Sequence, residues 1–130
     1  RRRFLKRPTT FKYKDAIKYM VIDDCKNREV IPMIVPNWDH SPRSGTNSII
    51  LTHSKPCYFK QIAKRAISIV KDKPVDEQIV MIKSWNEWGE GNYMEPDIEF
   101  GKQYIYALRD AIKESKEESN VGVWNSSRGD

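Results

Sequence analysis

The chain has 130 residues, 32% of them charged, and a formal net charge of +5. This length is enough for one modest domain. Because five of the 23 Lys and Arg residues lie within residues 1–7, 18 basic groups remain from Pro8 onward, against 18 acidic groups. A basic cluster confined to one end is weak support for nucleic-acid binding. The composition therefore predicts no nucleic-acid partner.

Cysteine and histidine are too scattered to predict a metal centre. Cys25 and Cys57 form no Cys-x-x-Cys pair, and His40 and His53 lie far apart in sequence. We therefore predict no metal and no cofactor. No apolar run reaches the roughly 18 residues that a membrane span needs, and no signal-peptide pattern is visible. The expectation is no stable membrane insertion of this segment, with a cytoplasmic location as the default.

The first predicted elements are a helix and a strand. Apolar residues at helical spacing predict an amphipathic helix over residues 12–27. The run Val30–Val35 is apolar on both faces, which is typical of a strand buried in a parallel sheet. Pro32 cannot donate a ladder hydrogen bond, so pairing is expected to start at Pro32 or to lie over Met33–Val35.

A polar stretch and a second helix–strand pair follow. Residues 36–55 lack periodicity and are predicted to form a loop. Ser54 is the expected N-cap of the next helix, with Pro56 in its first turn. Ile79–Ile82 predicts a second strand, and periodicity predicts a third helix over residues 99–114 with Asp97 as candidate cap. The apolar stripe of the second helix is Phe59, Ile62, Ala63, Ala66, Ile69 and Val70.

The order helix, strand, helix, strand, helix predicts a parallel α/β fold. Both strands are followed by long loops, and in such folds ligands bind at the carboxyl ends of strands. Two strands make a marginal sheet, so the prediction is a C-terminal fragment of a (β/α)₈ TIM-type barrel whose preceding units lie N-terminally. Residues 1–115 are the predicted strand–helix units. Residues 116–130 are predicted to be a polar, flexible tail.

The candidate site is Ser84–Asp97, directly after the second strand. Glu87 and Glu90 share one face if the turn is helical, and two close carboxylates can serve as an acid and its partner at a glycosidic bond. Flat aromatic faces suit a sugar ring, and amides can bond its hydroxyls. The expected sugar-binding side chains here are Trp85, Asn86, Trp88, Asn92 and Tyr93. The alternative is a loop that only caps a barrel end.

A second group of candidates lies in the preceding loop. Trp38 offers a flat face, Asp39 is a candidate acid or hydroxyl acceptor, and Arg43 can bind a phosphate or a sugar acid. The alternative is an Asp39–Arg43 ion pair that only shapes the loop. His40 and His53 are weaker candidates, because a loop histidine more commonly faces solvent.

Ser84–Asp97, followed by Phe100-Gly101 and Tyr104, resembles the C-terminal signature of the WbsX-type glycosyltransferase family. The segment Pro36–Arg43 resembles the preceding Trp-Asp…Arg segment of that family. The family occurs in bacterial surface-polysaccharide gene sets and is similar to the endo-α-mannosidase glycoside hydrolases, which are (β/α)₈ barrels. The resemblance covers residues 13–108, which is only part of a full family member.

The resemblance implies roles for the two carboxylates. Glu90 would be the general acid/base, and Glu87 would assist attack at the anomeric carbon by drawing a proton from a neighbouring sugar hydroxyl. Gly89 departs from those hydrolases, which usually carry His there. The resulting expectation is a sugar-transferring enzyme of surface-polysaccharide biosynthesis, acting on an oligosaccharide or a glycosyl donor and acceptor. The alternatives are an endo-acting α-mannosidase-like hydrolase or transglycosylase, and a carbohydrate-binding domain without catalysis.

Overall fold

The computed structural model describes the backbone of residues 7–126 and the side chains up to residue 118. Most of the N-terminal basic cluster lies outside this range. Its helices are α1 (Tyr13–Ala16), α2 (Ser41–Ser44), α3 (Pro56–Val70) and α4 (Gln103–Ser126). Its strands are β1 (Thr9–Lys12), β2 (Met33–Ile34), β3 (Trp38–Asp39), β4 (Ile49–Thr52), β5 (Met81–Ile82), β6 (Asn86–Glu87) and β7 (Asn92–Tyr93).

The described strands form three small sheets. β2 and β5 are parallel, with Met33 opposite Met81, so the predicted parallel pairing of the two apolar runs is confirmed. The pairing begins just after Pro32, as the missing donor of that residue requires. β4 lies between β1, to which it is parallel, and β3, to which it is antiparallel. β6 and β7 form a short antiparallel hairpin. Residues 7–126 are mixed α/β without a closed barrel, so the barrel fragment stays a prediction.

The predicted helix over residues 12–27 is wrong. It is divided into α1 and two 3₁₀ turns, Ile17–Tyr19 and Asp23–Lys26. One reason is that the Arg65 side chain donates to the Val21 carbonyl, which a continuous helix would use internally. β-branched residues and Asp are also weak helix formers. The apolar stripe is buried in part: Tyr13, Ile17 and Val21 are enclosed, while Ala16 and Met20 are half-buried.

The predicted loop over residues 36–55 is also wrong in part, because β3, α2 and β4 lie within it. Its short apolar run, Ile49–Leu51, pairs with β1 on one side and with β3 on the other. The polar residues around this run hid the strand from the sequence analysis. The strand β1 was not predicted either. It is exposed along its whole length and therefore has no buried face to reveal it.

Helices α3 and α4 pack together and carry most of the core. α3 begins at Pro56, which lies in the first turn as predicted. Its cap is Lys55 and not Ser54, whose Oγ donates instead to the Leu51 carbonyl. Its stripe is buried apart from the half-buried Ile69, and enclosing one residue such as Phe59 contributes about 1.5–3 kcal/mol. No helix in the described part of the chain is long and apolar enough to cross a bilayer.

The third helix differs from its prediction at both ends. α4 runs over Gln103–Ser126 instead of 99–114, and so includes residues predicted to be tail. Its extension is favoured by strong helix formers and by ion pairs from Glu114 and Glu118 to α3. Asp97 accepts from the Phe100 amide and so caps a turn before the helix. The predicted tail also contains a short apolar run, Val121–Trp124, whose side chains lie outside the described residues.

Candidate functional site

Two segments meet at the carboxyl end of the β2–β5 pair, as predicted for the two long loops. We call residues 84–95 the hairpin segment and residues 37–45 the facing loop. Asn92 Nδ2 donates to the Asn37 carbonyl over 2.5 Å, and the Tyr93 amide donates to Asn37 Oδ1 over 2.8 Å. Asn92 is fully buried. Its place in the structure is therefore to join the two segments, rather than to face an open surface.

Gly91 lets the two segments approach closely. Its backbone is left-handed, with φ of +49°, a region that favours glycine. A Cβ atom at this position would also lie 2.9 Å from Asp39 Cβ and 3.0 Å from the backbone nitrogen and oxygen of Asp39. The left-handed backbone and the short distances to Asp39 both favour glycine at position 91.

Glu87 and Glu90 are held by one guanidinium group. Arg43 Nη1 lies 2.8 Å from Glu90 Oε1, and Arg43 Nη2 lies 3.3 Å from Glu87 Oε1. Glu87 ends β6, and Glu90 ends the 3₁₀ turn Trp88–Glu90 that follows. Glu87 and Glu90 thus lie close together, as predicted, although the turn is 3₁₀. Their shared contact with Arg43 was not predicted.

Glu90 has two further basic neighbours. Its Oε2 lies 3.3 Å from Lys83 Nζ, and its Oε1 lies 3.5 Å from His40 Nε2. The Glu90 side chain is only 13% exposed, whereas that of Glu87 is 39% exposed. Lys83 also lies 5.1 Å from the centre of the Trp38 ring, which suits a cation–π contact.

Lys83 was missed by the sequence analysis, and His40 was given little weight. The available signal was the position of Lys83, directly after β5 at the carboxyl end of a predicted parallel strand. A single lysine is usually solvated, so composition did not single it out. His40 is brought to Glu90 by the short helix α2 that begins directly after it.

The Asp39–Arg43 ion pair, the alternative for this loop, is not formed. Asp39 Oδ1 accepts instead from the Ser41 amide over 2.9 Å and from Ser41 Oγ over 2.5 Å. This turns the chain into α2. Arg43 pairs with Glu87 and Glu90, so Asp39 shapes the facing loop while Arg43 links it to the hairpin segment.

The aromatic side chains of the hairpin segment form an exposed surface beside the carboxylates. Trp88 stacks on Tyr93 with ring centres 3.7 Å apart, and Trp88 Nε1 donates to Glu95 Oε2 over 2.6 Å. Trp85 and Trp88 are each about half exposed, and Asn86 is exposed as well. Burial, followed by the nearby Asp97 carboxylate, raises the pKa of Tyr93 above its ordinary value.

Gly89 leaves space for the ion pair. A Cβ atom there would lie 3.2 Å from Arg43 Nη2 and 3.3 Å from Glu87 Oε1. A larger side chain at this position, such as histidine, would therefore press on the Arg43–Glu87 contact. Within residues 7–126, no three His, Cys, Asp or Glu side chains are grouped so that they could hold a metal ion.

Comparison with known proteins gives one family. The family model described as "Glycosyltransferase WbsX" matches residues 2–108. The chain is similar to two proteins called "Uncharacterized protein WxcX" from Xanthomonas campestris pv. campestris. Identity to the strain B100 protein is 27% over 103 residues, covering 78% of this chain and 15% of that protein.

The second relative, from another strain of the same pathovar, is 32% identical over 82 residues, covering 62% of this chain and 12% of the relative. The chain therefore spans only a small part of the length of the curated relatives that it matches. No solved structure matches the chain.

Proposed function

The chain belongs to the WbsX glycosyltransferase family, and we propose that it forms part of an enzyme that transfers a sugar in the biosynthesis of a bacterial surface polysaccharide, such as a lipopolysaccharide O-antigen or a capsule. The observation that carries the proposal is the pair Glu87 and Glu90 bound to the single guanidinium of Arg43. Two carboxylates held together beside exposed indole rings are the groups that glycosidic chemistry needs.

In this proposal Glu90 is the general acid/base and Glu87 assists at the anomeric carbon. Glu90 is the less exposed of the two, and its basic neighbours fix the direction of its carboxylate. Positioning of this kind is a large part of catalysis, because the acid must reach the departing oxygen at hydrogen-bond distance. The open faces of Trp85 and Trp88 supply an apolar surface for the C–H face of a sugar ring.

A second candidate is an endo-acting, α-mannosidase-like hydrolase or transglycosylase. It is favoured by the charge balance of the site, because Arg43 and Lys83 are matched by Glu87 and Glu90. A nucleotide-sugar or lipid-linked donor brings phosphate, which needs positive charge that is not already neutralised. Arg43 would have to leave its carboxylates to bind a donor phosphate. A carbohydrate-binding domain without catalysis is the third candidate.

The same proposal includes the fold, a C-terminal fragment of a (β/α)₈ barrel. One face of the β2–β5 pair is apolar and about half exposed, through Ile31, Met33, Ile79 and Met81. The opposite face, with Ile34, is buried against α3. An apolar sheet face of this kind is expected to be covered in a complete fold, and further barrel strands would cover it.

The experiment is Glu90→Gln in the full-length protein, with glycan turnover and glycan binding measured separately. We expect turnover to fall by about 10²–10⁴-fold, the contribution typical of a general acid/base, while binding is retained. Glu77→Gln is the matched control, because Glu77 also pairs with an arginine, Arg28, outside the hairpin segment and facing loop. Full turnover in Glu90→Gln would refute the catalytic assignment. Glycan binding by a wild-type protein that shows no turnover would favour the binding domain.

A further inference from the structure

The two oxygens of the Glu90 carboxylate are held from two different sides. Oε1 accepts from Arg43 Nη1 over 2.8 Å and lies 3.5 Å from His40 Nε2, and both of these groups belong to the facing loop. Oε2 accepts from Lys83 Nζ over 3.3 Å, and Lys83 follows β5 directly. The facing loop therefore holds one oxygen, and the end of the strand holds the other.

These contacts leave more room at Oε2 than at Oε1. A carboxylate oxygen can accept about two hydrogen bonds. Two basic side chains already face Oε1, whereas Lys83 is the single partner of Oε2 among the side chains that the structure describes. The guanidinium beside Oε1 also keeps its protons at any physiological pH, so Oε1 is the oxygen that stays anionic. Oε2 is thus the oxygen with a free direction for a proton and for a sugar oxygen.

Trp38 holds the Lys83 ammonium in place. Lys83 Nζ lies 5.1 Å from the centre of the indole ring, within the range of a cation–π contact. Trp38 is itself fixed in β3, where it lies opposite Leu51 of β4. The Lys83 side chain is 39% exposed, and a lysine loses much rotamer freedom when it is held in one geometry. The ring on one side and the Glu90 carboxylate on the other together restrict it to that geometry.

The charge of Lys83 suits the work of an acid. When protonated Glu90 gives up its proton, negative charge forms on Oε2, and an ammonium 3.3 Å away stabilises that charge. The other charged group at the pair, Glu87, contacts Arg43 Nη2 on the side of the facing loop. Lys83 therefore favours departure of the proton from the oxygen that has room to donate it.

We propose that Lys83 is the positioning residue that directs Glu90 Oε2 to the glycosidic oxygen, and that Trp38 acts through Lys83 instead of serving as a sugar-binding face. The inference rests on the proposed function, because it uses the acid/base role of Glu90. In the step, the bond between the anomeric carbon and the departing oxygen breaks. The departing oxygen takes the electron pair of that bond and the Oε2 proton, and Glu90 becomes a carboxylate. The incoming hydroxyl group of the acceptor then bonds to the anomeric carbon and gives its proton to Oε2.

The first test compares steady-state kinetics of full-length variants with the glycan substrate. Lys83→Met removes the charge, and should lower kcat about 10–100-fold, the effect of one hydrogen bond to a charged group, while KM stays unchanged. Lys83→Arg should restore most of kcat, because arginine keeps a cationic donor that also stacks on an indole ring. Lys60→Met is the matched control and should keep the wild-type kcat, since Lys60 also pairs with a glutamate and its side chain is 32% exposed.

A double-mutant cycle tests the role of Trp38. Trp38→Leu removes the aromatic face and should lower kcat at unchanged KM when Lys83 is present. In the Lys83→Met background it should have little further effect, because two residues that act through one contact are not additive. A rise in KM as the main effect of Trp38→Leu, or equal losses of kcat in both backgrounds, would overturn the proposal in favour of a direct contact between Trp38 and the sugar.

Crystal structures of the full-length variants give a readout that needs no substrate. In Lys83→Met the Glu90 carboxylate should keep its contact with Arg43 but take more than one orientation, whereas Lys60→Met should leave it as in the wild type. A single, unchanged orientation of Glu90 in Lys83→Met would overturn the proposal. An unchanged kcat in Lys83→Met, beside lost turnover in Glu90→Gln, would overturn it as well and leave the catalytic assignment standing. Full turnover in Glu90→Gln refutes the catalytic assignment itself, so the two failures are read from different variants.

Discussion

Within the part of the chain that the structure describes, we compare two clusters of paired charges, each with two Lys or Arg and two Glu side chains. The site cluster is Arg43, Lys83, Glu87 and Glu90, and the helix cluster is Lys60, Lys64, Glu114 and Glu118. In the helix cluster the side chains are 31–62% exposed. In the site cluster the Glu90 side chain falls to 13% exposure. Arg43, Lys83 and Glu87 are 39–55% exposed, so the two clusters differ in enclosure through Glu90.

The two clusters also differ in what holds them in place. The helix cluster joins α3 and α4 through residues one helical turn apart, so two regular helices are enough to form it. The site cluster draws its members from the facing loop, the end of β5 and the hairpin segment. Its geometry depends on Gly91 and on the Asn37–Asn92 contact. Ordinary ion pairs therefore become a candidate site only where irregular backbone has been fixed around them.

The largest effect is expected on stability, from a substitution at Gly91, where the hairpin segment and the facing loop approach each other. Gly91→Ala should destabilise the protein by about 1–3 kcal/mol through its left-handed backbone. The close approach of Asp39 should add about 1–3 kcal/mol more through overpacking. Chemical denaturation measures the total loss in the free energy of unfolding.

Gly101→Ala is the matched control for this prediction. Gly101 has a similar φ of +52°, but its Cβ position has no neighbour within 4 Å. It should therefore show only the backbone part of the loss. Equal destabilisation by the two substitutions would mean that the approach of the two segments does not restrict position 91.

The second-largest effect is expected on activity, which a substitution in the site cluster should lower and one in the helix cluster should not. Arg43→Ala in the full-length protein should lower kcat/KM on the order of 10²-fold, because misplacing catalytic groups by about 1 Å can cost that much. Lys64→Ala removes one base from the helix cluster and should leave kcat/KM unchanged. Steady-state kinetics with the glycan substrate measure both. Similar losses in the two variants would show that the site cluster has no special role.

Arg43→Ala also distinguishes the two enzyme proposals. A role in binding donor phosphate predicts that the KM for the donor rises most. A role in holding Glu87 and Glu90 predicts that kcat falls while donor affinity is kept. An unchanged dissociation constant for the donor in this variant would count against a phosphate site at Arg43.

The sequence allowed the components with strong local signals to be predicted. The apolar stripe of α3, the parallel pairing after Pro32 and the presence of Glu87, Glu90 and Arg43 at one face all follow from periodicity, proline chemistry or strand order. Lys83 was not predicted, because a lone lysine has no pattern that marks it as a partner of Glu90. The break at Val21 was not predicted either, because it depends on Arg65, 44 residues later in the chain. Contacts of that range are set by the tertiary fold.

The smallest effect is expected on the pH dependence of stability, through Glu114 of the helix cluster. Hydrogen bonds from Lys60, and then from Lys64, hold the pKa of Glu114 below its ordinary value of 4.5. Because the folded pKa is lower than the unfolded one, unfolding takes up a proton in the window between them. The contribution of Glu114 is therefore present above about pH 4.5 and is lost as the pH falls through the depressed folded pKa.

Glu114→Gln should lower the melting temperature slightly at pH 7, since exposed pairs contribute little. It should approach the wild type as the pH falls below 4.5, where the wild-type pair is itself lost. Thermal unfolding between pH 7 and pH 3 measures the difference. A constant gap between the two proteins over this range would mean that Glu114 does not contribute through its charge. The helix cluster would then act as a packing contact between α3 and α4. The two clusters would differ in the kind of interaction they provide as well as in exposure.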